Sequence, residues 1–205
     1  MQPILHWPVI NTQETSMGID ESIEAEMVII EDEDPMRSVF VCYAHQDNEG
    51  ESPHEQWLDR FLQFLTPLVR QEDLRVWSDK DIKIGDDWHQ TIKTQLNAAK
   101  AVVLLVSPAF LASDYIATNE LPVLLKRAKD DGMPIFQLLI SPCMDAETRF
   151  RYPDPKTGPE TFSLRSLQAA NPPSKTLIEM TEAEQNRVLL KVARSLWKIL
   201  TPKAT

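Results

Sequence analysis

Short apolar runs alternate with longer amphipathic segments along most of this chain. Four runs rich in Val, Ile and Leu each predict a buried β-strand, and they read "SVFVCYA", "LRVWS", "AVVLLVS" and "PIFQLLIS". A shorter run, "TLIE" at residues 176–179, predicts a brief edge strand. Because the four strands are apolar throughout rather than alternating with polar residues, we expect both faces of their sheet to be covered.

The segments between these runs have apolar residues at helical spacing. In "EQWLDRFLQFLTPLVRQ" they recur every four residues, and Pro67 predicts a kink or an early end. A second helix, "WHQTIKTQLNAAK", follows, and a third helical region runs to about Lys129 and ends at Gly132. Residues 142–175 predict loops with a short helix around "FSLRSLQAA". Thr181 and Glu184 form a capping box at the start of the last helix.

This alternation of strand and helix predicts an α/β fold. We expect a doubly wound sheet of about five parallel strands with helices on both faces. In such sheets ligands bind beyond the carboxyl ends of the strands. The loops after Tyr43, Trp77 and Val106 open on this rim, and Glu120 follows the third of them. Its position alone therefore makes Glu120 a candidate pocket residue.

Charge is distributed unevenly along the 205 residues. The net charge is −10, and the first 37 residues hold nine acids and one base. We predict an acidic, disordered leader over 1–36, the folded domain over 37–200 and a tail over 201–205. The alternative for the apolar island at 27–30 is a strand that adds to a sheet edge. An acidic leader on a near-neutral body argues against nucleic-acid binding and against a basic membrane-binding patch.

Other sequence features point to a cytoplasmic protein. No apolar run is long enough to span a bilayer, and the first residues lack the pattern of a signal peptide. We expect Cys42 and Cys143 to be buried free thiols, as in a reducing compartment. No Cys or His pair has the spacing of metal ligands, so we predict no metal site.

Several catalytic patterns are missing. There is no glycine-rich phosphate loop after the first strand, which argues against a dinucleotide-binding oxidoreductase. His45 and Asp47 lie near each other, but no serine-nucleophile motif accompanies them, so we interpret His45 as a loop residue. Among the tryptophans, Trp88 at the end of a rim loop is best placed to stack on a flat base.

Glu120 lies in the stretch "SDYIATNELP", which predicts the start of a helix. Asn119 is a favourable N-cap, and Pro122 suits a first helical turn. The helix dipole would then favour the ionised Glu120 carboxylate. Such a carboxylate can bind ribose hydroxyls or stabilise positive charge on a sugar carbon. The alternative is an ordinary first-turn acid without a catalytic role.

Taken in order, these pieces resemble the Toll/interleukin-1 receptor (TIR) domains, especially bacterial ones. "VFVCYAHQD" is similar to their first box. "VWSDKDIKIGDDWHQTIKTQLNAAKAVVLLVSPAFLASDYIATNELP" is similar to the region from their second strand, through the BB loop, to the catalytic helix. The similarity covers roughly residues 37–200 and implies a flavodoxin-like sheet of five parallel strands.

The resemblance extends to a catalytic motif. In TIR domains that cleave NAD⁺, an essential glutamate follows the third strand in a motif like S-x-W-C-x-x-E-L. Ser113, Tyr115, Ile116, Glu120 and Leu121 match that order. Tyrosine replaces the tryptophan, and the spacing from the aromatic residue to the glutamate is one residue longer. We expect a helix that begins only at its predicted cap to keep the acid facing the pocket.

The resemblance implies an NAD⁺ glycohydrolase or ADP-ribosyl cyclase that cleaves the nicotinamide–ribose bond, in bacterial antiviral defence. Glu120 is then the catalytic residue, and NAD⁺ is a substrate with no further cofactor. The substrate-binding residues implied are Tyr43, His45, Asp79, Trp88 and Tyr115. The BB loop, Asp79 to Asp87, would close the pocket and join subunits into a homo-oligomer through Lys83, Ile84 and Gly85.

Two other functions fit the same residues. TIR domains also act as non-catalytic adaptors that assemble through homotypic contacts. A nucleoside-processing transferase of related fold would also use a glutamate at the rim. We expect the activating signal to come from a regulatory or sensor protein in trans, unless the sequence is a fragment of a longer protein.

Overall fold

The computed structural model describes residues 37–71, 74–81 and 88–201. Contacts divide the chain into two units, Met1–Asp32 and Glu33–Thr205, and only the second contains described residues. The acidic leader predicted over 1–36 and most of the predicted tail lie outside the described residues, so those boundaries stay predictions. The strands are β1 (Ser38–Cys42), β2 (Arg75–Trp77), β3 (Ala101–Val106), β4 (Ile135–Leu139), β5 (Phe150–Tyr152) and β6 (Glu160–Phe162), and the α-helices are α1 (Trp57–Arg70), α2 (Trp88–Ala98), α3 (Pro108–Ala112), α4 (Leu121–Asp130) and α5 (Glu182–Leu200).

The central sheet has four parallel strands in the order β2-β1-β3-β4. Cys42 at the end of β1 pairs with Leu104 in β3, and Val106 at the end of β3 pairs with Leu139 in β4. Every residue of β3 is buried, as its uninterrupted apolar run predicts. The predicted α/β fold with a parallel sheet is therefore confirmed.

Each face of the sheet has its own hydrophobic core. On one face, strand residues such as Val41 and Val103 pack against α1 and α5. On the other face, residues such as Phe40 and Leu104 pack against α2, α3 and α4. Alternate residues of one strand point to opposite faces, so a continuous apolar strand supplies both cores. The expected doubly wound arrangement is confirmed.

The edge strand predicted at "TLIE" is wrong. Leu177–Glu179 is a 3₁₀ turn, in which the Thr176 N–H and hydroxyl both donate to Glu179 Oε2 at 2.7 Å. Two prolines, Pro172 and Pro173, precede it and have no N–H to donate to a strand ladder. The described residues therefore form four parallel strands in this sheet rather than five.

Separate contacts take the place of a fifth strand along β4. Ala169 forms a single parallel bridge with Gln137, and the Ala170 N–H donates to the Gln137 carbonyl at 2.8 Å. The buried Asn171 side chain accepts from the Leu139 N–H at 3.0 Å and donates to the Leu139 carbonyl at 3.1 Å. The Asn171 side chain thus pairs with the backbone N–H and carbonyl of Leu139, which a neighbouring strand would otherwise pair with.

Residues 142–175 contain an element that the sequence did not suggest. β5 and β6 form an antiparallel hairpin, with Phe150 opposite Phe162. The short helix expected around "FSLRSLQAA" is reduced to the 3₁₀ turn Leu164–Ser166. Phe150 of the hairpin and Leu164 of the following turn are buried in the same core as α4.

The predicted helix boundaries are partly correct. Helix α1 contains Pro67 but continues to Arg70, so the early end is wrong. Helix α4 is followed by Gly132, whose φ of 68° is the left-handed conformation expected of a helix end. Thr181 and Glu184 form the predicted capping box of α5. These two helix ends could be predicted from sequence because they depend on local hydrogen bonds and backbone angles.

Candidate active site

A cavity of about 350 Å³ lies beyond the carboxyl ends of β1 and β3, on the predicted rim. Its walls come from the loop after β1, the turn after β2, helix α3 and the helical segment before α4. Four of the predicted site residues line it together with the predicted catalytic Glu120. The lining residues are Tyr43, Ala44, His45, Gln46, Asp79, Ala109, Ala112, Ser113, Tyr115, Ile116 and Glu120.

Glu120 does not lie in a first helical turn, and the predicted N-cap at Asn119 is wrong. Helical structure begins after Ser113, whose Oγ accepts from the Ile116 N–H at 3.3 Å. Ile116–Glu120 form a single π-helical turn that runs directly into α4. The Asn119 side chain instead donates to the Tyr115 carbonyl at 3.3 Å. The stabilisation that the helix dipole gives to first-turn acids therefore does not apply to Glu120.

The π turn accounts for the extra residue between Tyr115 and Glu120. The Leu121 N–H donates to the Ile116 carbonyl, five residues earlier rather than four. In a regular α-helix two residues five apart would point about 140° away from each other. The wider turn brings them to one side, and both line the cavity. We infer that Pro122 favours this turn, because it has no N–H for the regular ladder.

Deleting one residue from the π turn tests that explanation. Without Thr118, a regular turn would carry Glu120 to the same face but would place Pro122 inside an α-helix, at a cost of about 3 kcal/mol. In a Pro122→Ala background the same deletion is expected to be nearly neutral. Chemical denaturation of the four proteins in this cycle measures both costs. Equal costs in the two backgrounds would show that Pro122 is not the cause of the π turn.

The Glu120 carboxyl is almost completely removed from water. The residue is 4% exposed. Burial raises the pKa of this carboxyl from 4.5 to about 7, since a charge is poorly solvated there. The hydrogen bond from Cys42 opposes this shift, the Asp79 carboxylate adds to the rise, and His45 lowers the pKa. Glu120 thus changes charge near neutral pH, as a functional acid in a cleft often does.

The Cys42 thiol contacts this carboxyl directly. Its Sγ donates a hydrogen bond to Glu120 Oε2 at 2.6 Å. Burial raises the pKa of the Cys42 thiol well above its ordinary value, so the thiol keeps its proton and stays a donor. The prediction of a buried free thiol is confirmed for Cys42, whereas Cys143 is only partly buried. The contact of Cys42 with the candidate acid was missed. Its place at the rim end of β1 was the signal available in the sequence.

Three residues at one side of the cavity contact each other. The His45 imidazole Nε2 lies against the Asp79 carboxylate, and the His45 and Tyr43 rings are 5.6 Å apart. Burial and the neighbouring Asp79 raise the pKa of the Tyr43 hydroxyl, which stays protonated. His45 begins the 3₁₀ turn His45–Asn48 within the connection after β1, and 62% of its side chain is exposed. The group offers aromatic surface together with polar donors and acceptors.

The loop after β1 is fixed to the end of β3. Ser107 Oγ donates to Asp47 Oδ2 at 2.6 Å and also accepts from the Phe110 N–H at 3.0 Å, which caps α3. Ser107 is fully buried, and burial raises the pKa of Asp47. This link holds two walls of the cavity in a fixed relation. Asp47 thus pairs with Ser107 and His45 with Asp79, rather than with each other.

The remaining site predictions stay untested by the structure. Lys83, Ile84 and Gly85 of the predicted assembly loop lie outside the described residues, as does the side chain of Trp88. Within the described ranges, no group of three or more His, Cys, Asp or Glu side chains could hold a metal ion.

Comparison with known proteins identifies the family of this chain. A region of the chain is 31% identical over 108 residues to an uncharacterized protein, y4lF, of Sinorhizobium fredii, and this covers 53% of the chain but 31% of that relative. The chain thus spans about a third of the length of the relative it matches. The model of the TIR domain family matches residues 39–169, from β1 to the segment that bridges β4. With its parallel sheet and rim cavity, the chain belongs to the TIR domain family.

Proposed function

We propose that this TIR domain cleaves NAD⁺ at the nicotinamide–ribose bond. The observation that carries the proposal is the Glu120 carboxyl, buried at 4% exposure yet lining a cavity of about 350 Å³. Burying an acid lowers the stability of the folded protein unless a partner offsets the loss, so a buried acid at a cavity is a candidate for a functional role. Its family, its place at the carboxyl edge of the sheet and its raised pKa all support a catalytic role.

The ionised Glu120 would act on the ribose that carries nicotinamide. As the bond from the ribose carbon to the ring nitrogen breaks, its electron pair goes to the ring, and positive charge develops on the sugar. The carboxylate stabilises that charge and accepts hydrogen bonds from ribose hydroxyls. Nicotinamide leaves as a neutral molecule, so no strong general acid is needed. Attack by water yields ADP-ribose, and attack by a nucleophile within the ADP-ribosyl group yields a cyclic product.

The cavity suits a flat, positively charged ring. Tyr43 and Tyr115 supply aromatic surface, and the small side chains of Ala109 and Ala112 leave room beside it. Two carboxyl groups, Glu120 and Asp79, line the same space. The cationic nicotinamide ring of NAD⁺ would lower the pKa of Glu120 on binding, because an opposite charge favours the ionised acid. Substrate binding thus promotes the form that catalysis requires.

The second candidate function is a non-catalytic adaptor. Membership of the TIR family supports it, since TIR domains generally interact with one another. In that case the loop containing Lys83, Ile84 and Gly85 would carry the function, and Glu120 would be only a buried acid. A nucleoside transferase remains a third candidate.

No described helix is both long and apolar enough to cross a bilayer. We propose a cytoplasmic protein that acts in antiviral defence with a sensor in trans.

One incubation separates these candidates. The protein is mixed with NAD⁺, and the products are separated by chromatography. An NAD⁺ glycohydrolase or cyclase releases nicotinamide, an adaptor releases none, and a transferase exchanges the base of an added nucleoside. A second incubation with nucleoside and free base, without NAD⁺, identifies the transferase.

Catalysis is expected to depend on self-assembly. We expect specific activity to rise with protein concentration, and Lys83→Glu to lower it without lowering the melting temperature. Lys156→Glu, a charge reversal on the exposed turn between β5 and β6, is the matched control. Dilution series of the three proteins, followed by nicotinamide release, provide the measurement. A specific activity that stays constant down to high dilution would contradict the dependence on assembly.

A further inference from the structure

The surroundings of the Glu120 carboxyl include one short hydrogen bond. The Cys42 thiol donates to its Oε2 at 2.6 Å, from the end of β1 and across 78 positions of sequence. The other titratable groups that influence it are Asp79 and His45 at the cavity wall, and Glu120 in turn raises the pKa values of Tyr43 and Tyr115. Cys42 donates a side-chain hydrogen bond to this carboxyl, and both residues are buried.

The chemistry of that bond depends on the donor. A thiol is a weak donor compared with a hydroxyl, and it is longer and more polarisable. Any donor to a carboxylate favours the ionised form and restricts rotation of the carboxyl group. Cys42 is 1% exposed, so water cannot easily replace it as a donor if it is removed. A change of the residue at position 42 would therefore act on both the orientation of the acid and its ease of ionisation.

We propose that Cys42 is a positioning residue for Glu120, and that its weak S–H donor sets the pH at which the acid becomes ionised and active. The catalytic part of this proposal rests on the proposed NAD⁺ cleavage. The positioning part concerns the Cys42–Glu120 pair alone and holds whatever the reaction is. Cys42 takes no covalent part, since its burial keeps the thiol protonated and unreactive.

Three variants test the proposal. Cys42→Ala removes the donor, Cys42→Ser replaces it with a stronger one, and Cys143→Ala is the matched control at a thiol that does not contact Glu120. The titration of the Glu120 side-chain carboxyl is followed by carbon-13 NMR, with Glu120→Gln used to assign the signal. The pH dependence of kcat/KM for NAD⁺ is measured on the same proteins.

In Cys42→Ala we expect the carboxyl titration and the acid limb of kcat/KM to shift upward together by about one pH unit. In Cys42→Ser both should move downward, and in Cys143→Ala neither should move. At high pH, where Glu120 is fully ionised, Cys42→Ala should still lower kcat several-fold because the carboxylate is less well oriented, with KM nearly unchanged.

Two results would overturn the proposal. One is an unchanged carboxyl titration in both Cys42 variants, which would mean that the thiol does not influence Glu120. The other is an upward shift in Cys42→Ser, which would mean that donor strength is irrelevant. If Cys42→Ala does not fold, the serine variant decides alone. Absence of NAD⁺ cleavage would contradict the proposed function, while the NMR titration would still decide the role of Cys42.

Discussion

Glu120→Gln is expected to reduce the rate of NAD⁺ cleavage by about 10²-fold or more, the usual loss when one electrostatic stabiliser of a transition state is removed. The amide has the shape of the carboxyl and still accepts a hydrogen bond from Cys42, but it has no charge to offer the ribose. Because the substitution acts mainly on the transition state, kcat should fall more than KM rises. Steady-state kinetics at pH 8, where wild-type Glu120 is mostly ionised, provide the measurement.

Glu160→Gln is the matched control for this loss. Glu160 is a partly exposed carboxylate in β6 that contacts Lys129 and Tyr152 and lies outside the rim cavity. We expect its variant to cleave NAD⁺ at the wild-type rate. Wild-type turnover in Glu120→Gln would remove Glu120 from the mechanism. Equal losses in the two variants would show that the assay responds to a general disturbance of the fold.

The same substitution is expected to stabilise the protein at neutral pH. Folding raises the pKa of Glu120 from 4.5 to about 7, so the folded state binds this proton more tightly than the unfolded state. The free energy of unfolding must then decrease as pH rises from about 4.5 to about 7. The shift corresponds to a loss of about 3 kcal/mol in wild type. Glu120→Gln does not ionise and should escape this loss.

Chemical denaturation between pH 4.5 and pH 8 measures that difference. The two proteins should have nearly equal stability at pH 4.5, and the variant should be the more stable by up to about 3 kcal/mol at pH 8. Asp47, whose pKa is also raised by burial, titrates in both proteins and cancels in the comparison. A variant that is less stable than wild type at pH 8 would indicate an exposed, charge-stabilised acid, as a first-turn position would give.

The sheet could be predicted from sequence because its strands are short, apolar runs separated by helical periodicity. The fifth strand could not, because its place is taken by a single bridge, an Asn171 side chain and a 3₁₀ turn that follows two prolines. These contacts leave no periodic pattern. The β5–β6 hairpin was missed for a similar reason, since its strands are three residues long and lie in a polar segment.

Five of the residues predicted for the site lie at one cavity, but the local geometry around Glu120 was not predicted. The rim position and the resemblance together identified Glu120, Tyr43, His45, Asp79 and Tyr115, and the structure brings all five to one cavity. The local signals of a helix start were misleading, because the cap and the proline belong to a helix that had already begun at 114.

The partner of Glu120 could not have been found by local reasoning. The Cys42–Glu120 contact joins the ends of β1 and the π turn across 78 positions, and it depends on how the sheet places the two. Burial of the carboxyl likewise follows from packing of α3, α4 and β1 rather than from its neighbours in the chain. Local propensity indicated a solvated acid, and tertiary structure produced a buried one.

The central claim is that the cavity around Glu120 cleaves NAD⁺, and nicotinamide release tests it most directly. Wild-type protein and Glu120→Gln are incubated with NAD⁺ at high concentration under crowding, with assembly of both confirmed by light scattering. We expect wild type to release nicotinamide together with ADP-ribose or its cyclic form. The rate of nicotinamide release by the variant should be lower by about 10²-fold or more. Assembled wild-type protein that releases no nicotinamide would contradict the account and favour an adaptor.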